Sequence, residues 1–285
     1  MNNTIKKLRI SVFLCVFSVF LSVTATARDS IIIRNEFSIN FGAGASSFQS
    51  NPVQGKDFID WSGTFGFSNY FFFGSRLGAG FGINLVIYNG GITIDDYSST
   101  QATTNTVTGN PFDFLVNSNF YRETHQAVLL SVPLMIKYRG SGFYFAFGGK
   151  AGFPVFTSSR SEGRFSSRGY FPNLNVTFED LPHLGFVSNK AFPNVDVDFD
   201  MKTVLILSVE LGKRWRLGTK SSLYTGIYVD LDVTKQPLAA SDDNLVVYRP
   251  RNPANLVYNS AINTYAQQIS PVSGGITLRL AFGRL

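Results

Sequence analysis

Residues 127–155 read AVLLSVPLMIKYRGSGFYFAFGGKAGFPV. Val128, Leu130, Val132, Leu134, Ile136 and Tyr138 alternate with Ser131, Lys137 and Arg139. After Gly140, Ser141 and Gly142 the alternation resumes. Phe143, Phe145, Phe147, Ala151 and Phe153 stand against Tyr144, Gly148, Lys150 and Gly152. A period of two belongs to a strand whose two faces meet different surroundings. Two such runs joined by three residues rich in glycine make a hairpin.

The same pattern recurs along the chain. Residues 31–45 place Phe37, Ile39 and Phe41 opposite Glu36, Ser38 and Asn40. Residues 59–73 place Trp61, Phe65, Phe67, Phe71 and Phe73 on one face, and 76–88 place Leu77, Ala79, Phe81, Ile83, Leu85 and Ile87 there. In 203–216 Leu205, Leu207, Val209, Leu211 and Trp215 oppose Ser208, Glu210 and Arg214. In 221–233 Leu223, Ile227, Val229, Leu231 and Val233 oppose Tyr224, Tyr228, Asp230 and Asp232, and in 271–283 Val272, Ile276, Leu278, Leu280 and Phe282 oppose Ser273, Gly275, Thr277 and Arg279. With 127–139 and 143–155 these make eight segments, an even number.

Short connections at 74–75, 140–142 and 217–220 alternate with long ones at 46–58, 91–126, 156–202 and 234–270. Short turns at one end and long loops at the other are the plan of a membrane barrel. A soluble sandwich also alternates, with its apolar face inward. Here the apolar face is continuous and rich in Phe, while the other carries Gly and Ser with few Lys or Glu. The expected fold is therefore all-β: an eight-stranded antiparallel up-and-down transmembrane β-barrel with long extracellular loops.

Composition agrees. Charged residues are 15% of the 285, against about 25% in soluble domains. A mean hydropathy of +0.07 excludes a bundle of spanning helices. One Cys excludes a disulfide scaffold or a four-Cys zinc site. Lys6, Lys7 and Arg9 precede the uncharged apolar run 10–23, and an Ala-Thr-Ala site ends at Ala27. That run is short of the roughly 20 residues of a spanning helix. Residues 1–27 are thus expected to be a cleavable signal peptide and 28–285 the barrel domain. Three of the positive charges behind the formal +6 belong to that leader, so the basic balance is no nucleic-acid footprint.

Parity assigns sites. Phe73, Tyr138, Phe143, Trp215 and Phe282 lie on the apolar face beside the short turns, where an aromatic girdle belongs. Lys213 shares that face, close enough to the interface to snorkel. Glu36, Lys150, Glu210 and Arg279 face inward. Neighbouring strands suggest the pairs Glu36 with Arg279 and Lys150 with Glu210, a neutral interior charge network. Gly78, Gly80 and Gly82 would leave room for it. Spaced two apart within a strand, they do not form a nucleotide-binding loop.

Residues 129–153, 163–186 (GRFSSRGYFPNLNVTFEDLPHLGF), 210–230 (ELGKRWRLGTKSSLYTGIYVD) and 276–283 (ITLRLAFG) resemble OmpA-like outer-membrane β-barrel proteins of the Bacteroidetes type. The resemblance implies a place in the outer membrane of a Gram-negative bacterium. Such proteins often carry a peptidoglycan-binding domain after the barrel, which is not expected here because the chain stops just past the last strand. Residues 273–280 followed by Phe282 resemble the signal read by the barrel-assembly machinery.

Other chemistry is sparse. His125 and His183 fall in predicted loops without an adjacent Ser or carboxylate partner, so no enzyme is expected. Asp196, Asp198 and Asp200 lack the Gly and Glu of an EF-type calcium loop. No cofactor or metal is expected. Arg160, Arg164 and Arg168 suit lipopolysaccharide phosphates. The sequence favours a monomer with a structural and surface-interaction role: membrane integrity, and loops that bind a host or surface ligand. A small solute pore is the alternative, disfavoured because eight strands leave room only for side chains. A lipid-modifying enzyme ranks below both.

Overall fold

The computed structural model describes residues 33–105, 108–194, 201–238 and 244–283. The proposed signal peptide and the carboxylates of Asp196, Asp198 and Asp200 lie outside them.

Eight strands close a ring: β1 (Ile33–Gln49), β2 (Lys56–Phe73), β3 (Leu77–Thr104), β4 (Pro111–Arg139), β5 (Phe143–Phe171), β8 (Val204–Arg216), β9 (Ser221–Asp232) and β13 (Gln268–Gly283). All pair antiparallel with their sequence neighbours, and β1 pairs β13 to close the seam. Two-residue and three-residue strands decorate the long-loop end: β6 (Val176–Phe178), β7 (Lys190–Ala191), β10 (Gln236–Pro237), β11 (Val246–Val247) and β12 (Val257–Tyr258), together with a short helix, α1 (Ala261–Tyr265). Both ends of the ring, Ile33 and Gly283, sit at the short-turn end, level with Phe73 and Glu36. Gly74 turns the first short hairpin at φ +75°, a conformation that favours glycine.

The outer face is a belt of exposed apolar side chains. Phe37, Phe41, Phe65, Phe67, Leu85, Leu134, Phe145, Leu207, Ile227 and Leu278 are among them. On β4 the outward apolar run spans 128–138, about the 9–11 residues a tilted strand needs to cross hydrocarbon. In water such a surface is prohibitive; in a bilayer it is the required one. Leu207 points into the belt and its neighbour Ser208 is buried in the lumen. Leu207→Arg is expected to cost about 2–4 kcal/mol of folding stability into lipid vesicles, and Ser208→Ala little. Equal losses in a urea titration of the two variants would invert the parity.

The long connections differ from expectation. Residues 91–104 and 111–126 are not loop but the upper halves of β3 and β4, and β5 runs on to Phe171. The period of two persists there with its chemistry reversed. Outward positions such as Ser98, Thr124 and Arg160 are polar, while Tyr88, Ile92, Ile94, Phe112, Phe114, Val116 and Tyr121 are buried within. Above the belt, water lies outside and apolar groups turn in. Asp96, at φ 52°, marks the level on β3 where the inward parity changes from even to odd.

Candidate functional site

The interior holds two layers. Near the short turns Glu36 accepts from Lys137 Nζ at 2.8 Å, Arg139 at 3.1 Å and the Tyr224 hydroxyl at 2.7 Å. Glu210 accepts from Arg279 at 2.7 Å and Tyr144 at 2.6 Å. Arg279 Nε also donates to Asn40 at 2.8 Å. Lys150 bridges both oxygens of Asp230. Aromatic rings line the cations: Lys137 Nζ is 3.6 Å from the Tyr224 ring centre and Arg139 3.7 Å from that of Phe72.

Glu36, Lys150, Glu210 and Arg279 all face this lumen, but the pairs expected from strand adjacency do not form. Glu36 stands opposite Gly283, and Arg279 opposite Asn40. Glu210 stands opposite Ala146, four residues from Lys150. Strand stagger separates each expected pair, and in a ring this narrow side chains cross the lumen instead. Glu36 therefore meets β4, and Arg279 meets β8. Lys137, Arg139 and Asp230 had the inward parity that marks them; which pairs they form depends on depth, which alternation does not encode.

The room left by the glycines serves aromatic rings. A Cβ on Gly80 would lie 2.4 Å from Tyr70 Cδ1, and one on Gly78 2.8 Å from Phe72 Cδ1. These rings pack against β3, with Lys137 Nζ 4.7 Å from the Tyr70 ring centre and Arg139 3.7 Å from that of Phe72. Phe73, Phe143, Trp215 and Phe282 are exposed on the outer face, with Tyr138 half-buried 5.7 Å from the Phe143 ring. Lys213 places its ammonium 4.0 Å from the Trp215 ring centre.

The upper layer is an apolar core. Phe112 contacts Phe171 and Tyr248, and Phe114 contacts Tyr248, at ring distances of 4.8, 5.3 and 5.0 Å. The segment 244–267 folds down into this mouth and buries Leu245, Val246, Ala261 and Ile262 completely. Gln101 and the Tyr248 backbone exchange two hydrogen bonds, and the Leu245 amide donates to the Tyr97 hydroxyl at 3.1 Å. Glu123 receives the Ala261 amide at 2.6 Å, the Tyr121 hydroxyl at 2.5 Å and the Ser260 hydroxyl.

Burial alone would raise the Glu123 carboxyl, but His125, Ser260 and Tyr121 outweigh it, and the net shift is downward from the ordinary 4.5. A depressed carboxylate stabilises the fold above its unfolded value and stops doing so as pH falls through its folded one. Protease access to 244–267 should therefore stay constant from neutral pH down to the ordinary carboxylate range and rise only below it. A rise near pH 6 would contradict this.

The structure assigns the remaining candidates. His183 is exposed in a 3-10 turn, Pro182–Leu184. His125 faces inward on β4, with Ser159 across the ladder and Glu123 beside it. Its partners escaped sequence reading because one is on another strand. Arg160, Arg164 and Arg168 are on the outer face of β5 rather than in a loop. Arg160 lies 3.6 Å from Glu162, Arg168 3.5 Å from Glu179, and Arg164 donates to Asn189. Among the described residues no cluster of His, Cys, Asp and Glu is arranged to hold a metal.

A closed antiparallel ring of eight strands with an apolar belt is the architecture of a membrane-spanning β-barrel. No family model and no curated protein matches the chain. Among solved structures it is similar to Ail, the attachment invasion locus protein of Yersinia pestis, in complex with the heparin analogue sucrose octasulfate, at 10% identity, covering 86% of this chain and 98% of that one, with a TM-score of 0.28. It is also similar to the outer membrane protease OmpT from Escherichia coli, at 8% identity, covering 89% and 97%, with a TM-score of 0.33.

Proposed function

We propose that the protein is an outer-membrane barrel of a Gram-negative bacterium whose role is surface interaction rather than transport. The observation that supports this is the upper half of the molecule. Strands β3, β4 and β5 continue past the belt and, with segment 244–267, build a head with its own apolar core. A head with a packed core holds its outer surface in one shape, which is what specific recognition requires. The lumen below is crossed by two ion-paired layers centred on Glu36 and Glu210.

With the short turns in the periplasm, the head faces the outside. Arg160 lies on its outer wall above the exposed Val155 and Phe156, at a level suited to lipopolysaccharide phosphates. An ordinary barrel of this kind reaches the membrane through the barrel-assembly machinery.

Two measurements test the reading together. Purified folded protein, labelled and applied to immobilised glycans, host-matrix proteins and lipopolysaccharide, should bind at least one class in a manner abolished by Phe114→Ala, which loosens the head. In planar bilayers it should show no stable, large unit conductance. Conductance of that kind, with no binding, would establish the pore instead.

A further inference from the structure

Lys56 of β2, Thr93 of β3 and Arg122 of β4 stand in one cross-strand row. Residues directly opposite share a face of the sheet. The chain neighbours Ile92 and Glu123 are buried within, so this row lies on the outer wall of the head. Two strand spacings set the Cα atoms of Lys56 and Arg122 about 10 Å apart, with the Thr93 hydroxyl between them.

No carboxylate answers these two cations. Glu162 of β5 is directly opposite Arg122 but pairs with Arg160 instead, at 3.6 Å. Asp57, next to Lys56, accepts from the Ser50 amide at 2.9 Å and from the Ser50 hydroxyl. Among the described residues neither Lys56 nor Arg122 forms an ion pair, and Arg122 Nε is buried without a hydrogen-bond partner. A ring holds the guanidinium in place. One row nearer the belt, Phe58 of β2 stands opposite Gly91. Its ring reaches across β3 where Gly91 has no side chain: a Cβ there would lie 2.9 Å from Phe58 Cε1. The ring centre is 4.0 Å from Arg122 Cζ. Arg122 is thereby turned toward β2 and Lys56, away from β5. A guanidinium stacked on a ring keeps its in-plane donors for an anion.

The level of the row indicates which anion. Lys56 is exposed, and Thr93 and Arg122 are half-buried. Ile59, 74% exposed, and Trp61 mark the top of the belt on β2. Lys56 is three residues above Ile59, about 10 Å along the strand and about 8 Å in height at a tilt of about 40°. Lipid headgroups occupy that layer, just above the hydrocarbon. We propose that Lys56, Thr93 and Arg122 bind a phosphate on the sugar headgroup of an outer-leaflet glycolipid, with Phe58 as the positioning residue. Arg122 supplies directed donors, Lys56 a second positive charge, and Ile59 and Trp61 an apolar wall for the acyl chains below. The inference rests on the reading that the head faces outside the cell, which decides the leaflet this row meets.

The test uses the full-length folded protein in detergent, its fold verified by heat-modifiable gel migration. Every sample carries Arg160→Gln, so that a phosphate contact on β5 cannot mask a loss. Titrated with fluorescent diphosphoryl lipid A, the protein should bind it about tenfold more tightly than dephosphorylated lipid A or phosphatidylglycerol. Arg122→Gln and Lys56→Gln should each weaken that binding about tenfold, and Lys220→Gln, at the short-turn end, should leave it unchanged. Phe58→Leu removes no charge but should weaken binding several-fold, whereas Phe58→Tyr should retain it. Inorganic phosphate that displaces the lipid at equal concentration overturns the lipid as the source of the phosphate. A preference for phosphatidylglycerol that needs Lys56 and Arg122 overturns the glycolipid, and the outward placement of the head with it. Lipid A binding indifferent to both substitutions overturns the site and leaves that placement standing.

Discussion

Replacing Glu36 by Ala should destabilise the barrel by about 3–5 kcal/mol, the cost of leaving a buried cation without its counter-charge. The carboxylate holds Lys137 and Arg139 together. Lys137 has no exposed side-chain surface, and among the described residues no other carboxylate lies at ion-pair distance from it. Arg139 keeps a bond to the Ser75 carbonyl, so the loss falls mainly on Lys137. A double-mutant cycle isolates it: adding Lys137→Met to Glu36→Ala should recover much of the stability, because two neutral groups in the same space need no partner. Urea unfolding from vesicles, followed by tryptophan fluorescence, measures each corner. Additive losses in the double variant would show that the pair is not coupled.

Phe114→Ala should act on the head alone. Phe114 is buried against Tyr248 and Phe186, with ring centres 5.0 and 6.4 Å away. Removing a buried Phe typically costs about 3–5 kcal/mol. The cost should appear as local opening, since the belt and the ion-paired lumen do not involve this ring. Limited proteolysis should cut 244–267 at least tenfold faster, a conservative reading of a loss of that size. Heat-modifiable migration of the barrel should be unaltered. Loss of both would mean that head and barrel unfold as one unit.

The particular residues explain what the sequence reveals and what it hides. In Leu205, Leu207, Val209 and Leu211 the alternation is one of chemistry as well as geometry, so strand, face and lipid contact are all read from it. Over 91–126 the alternation of Ile92, Ile94 and Tyr97 on one side and of Phe112, Phe114 and Val116 on the other is still present. Gly91, Asp95 and Asp96 interrupt it, and the switch from apolar-out to apolar-in reverses the chemistry that makes it legible lower down. The inward direction of Glu36 and Arg279 follows from parity. Their partners do not, because tilt and stagger set the depth at which side chains meet. Ser159 and His125 are joined only by the register of two strands, and Glu123 meets Ser260 only through a long-range fold-back. Neither relation leaves a local trace.

The seam between β1 and β13 has a kinetic consequence. Glu36 is paired with Gly283 and Gln49 with Ser270, so the ring is completed by residues more than two hundred positions apart. At its middle Gly44 faces Gly275, and a Cβ on Gly44 would lie 2.1 Å from the Gly274 carbonyl oxygen. The two backbones must approach bare, without side chains to guide them. Until that last ladder zips, β1 and β13 each present a row of unsatisfied amides and carbonyls, the kind of edge that recruits other chains. Contacts of such sequence separation are also the slowest to form. A chain whose ring has not yet closed therefore carries two such edges, and the β1–β13 ladder covers both of them in one step.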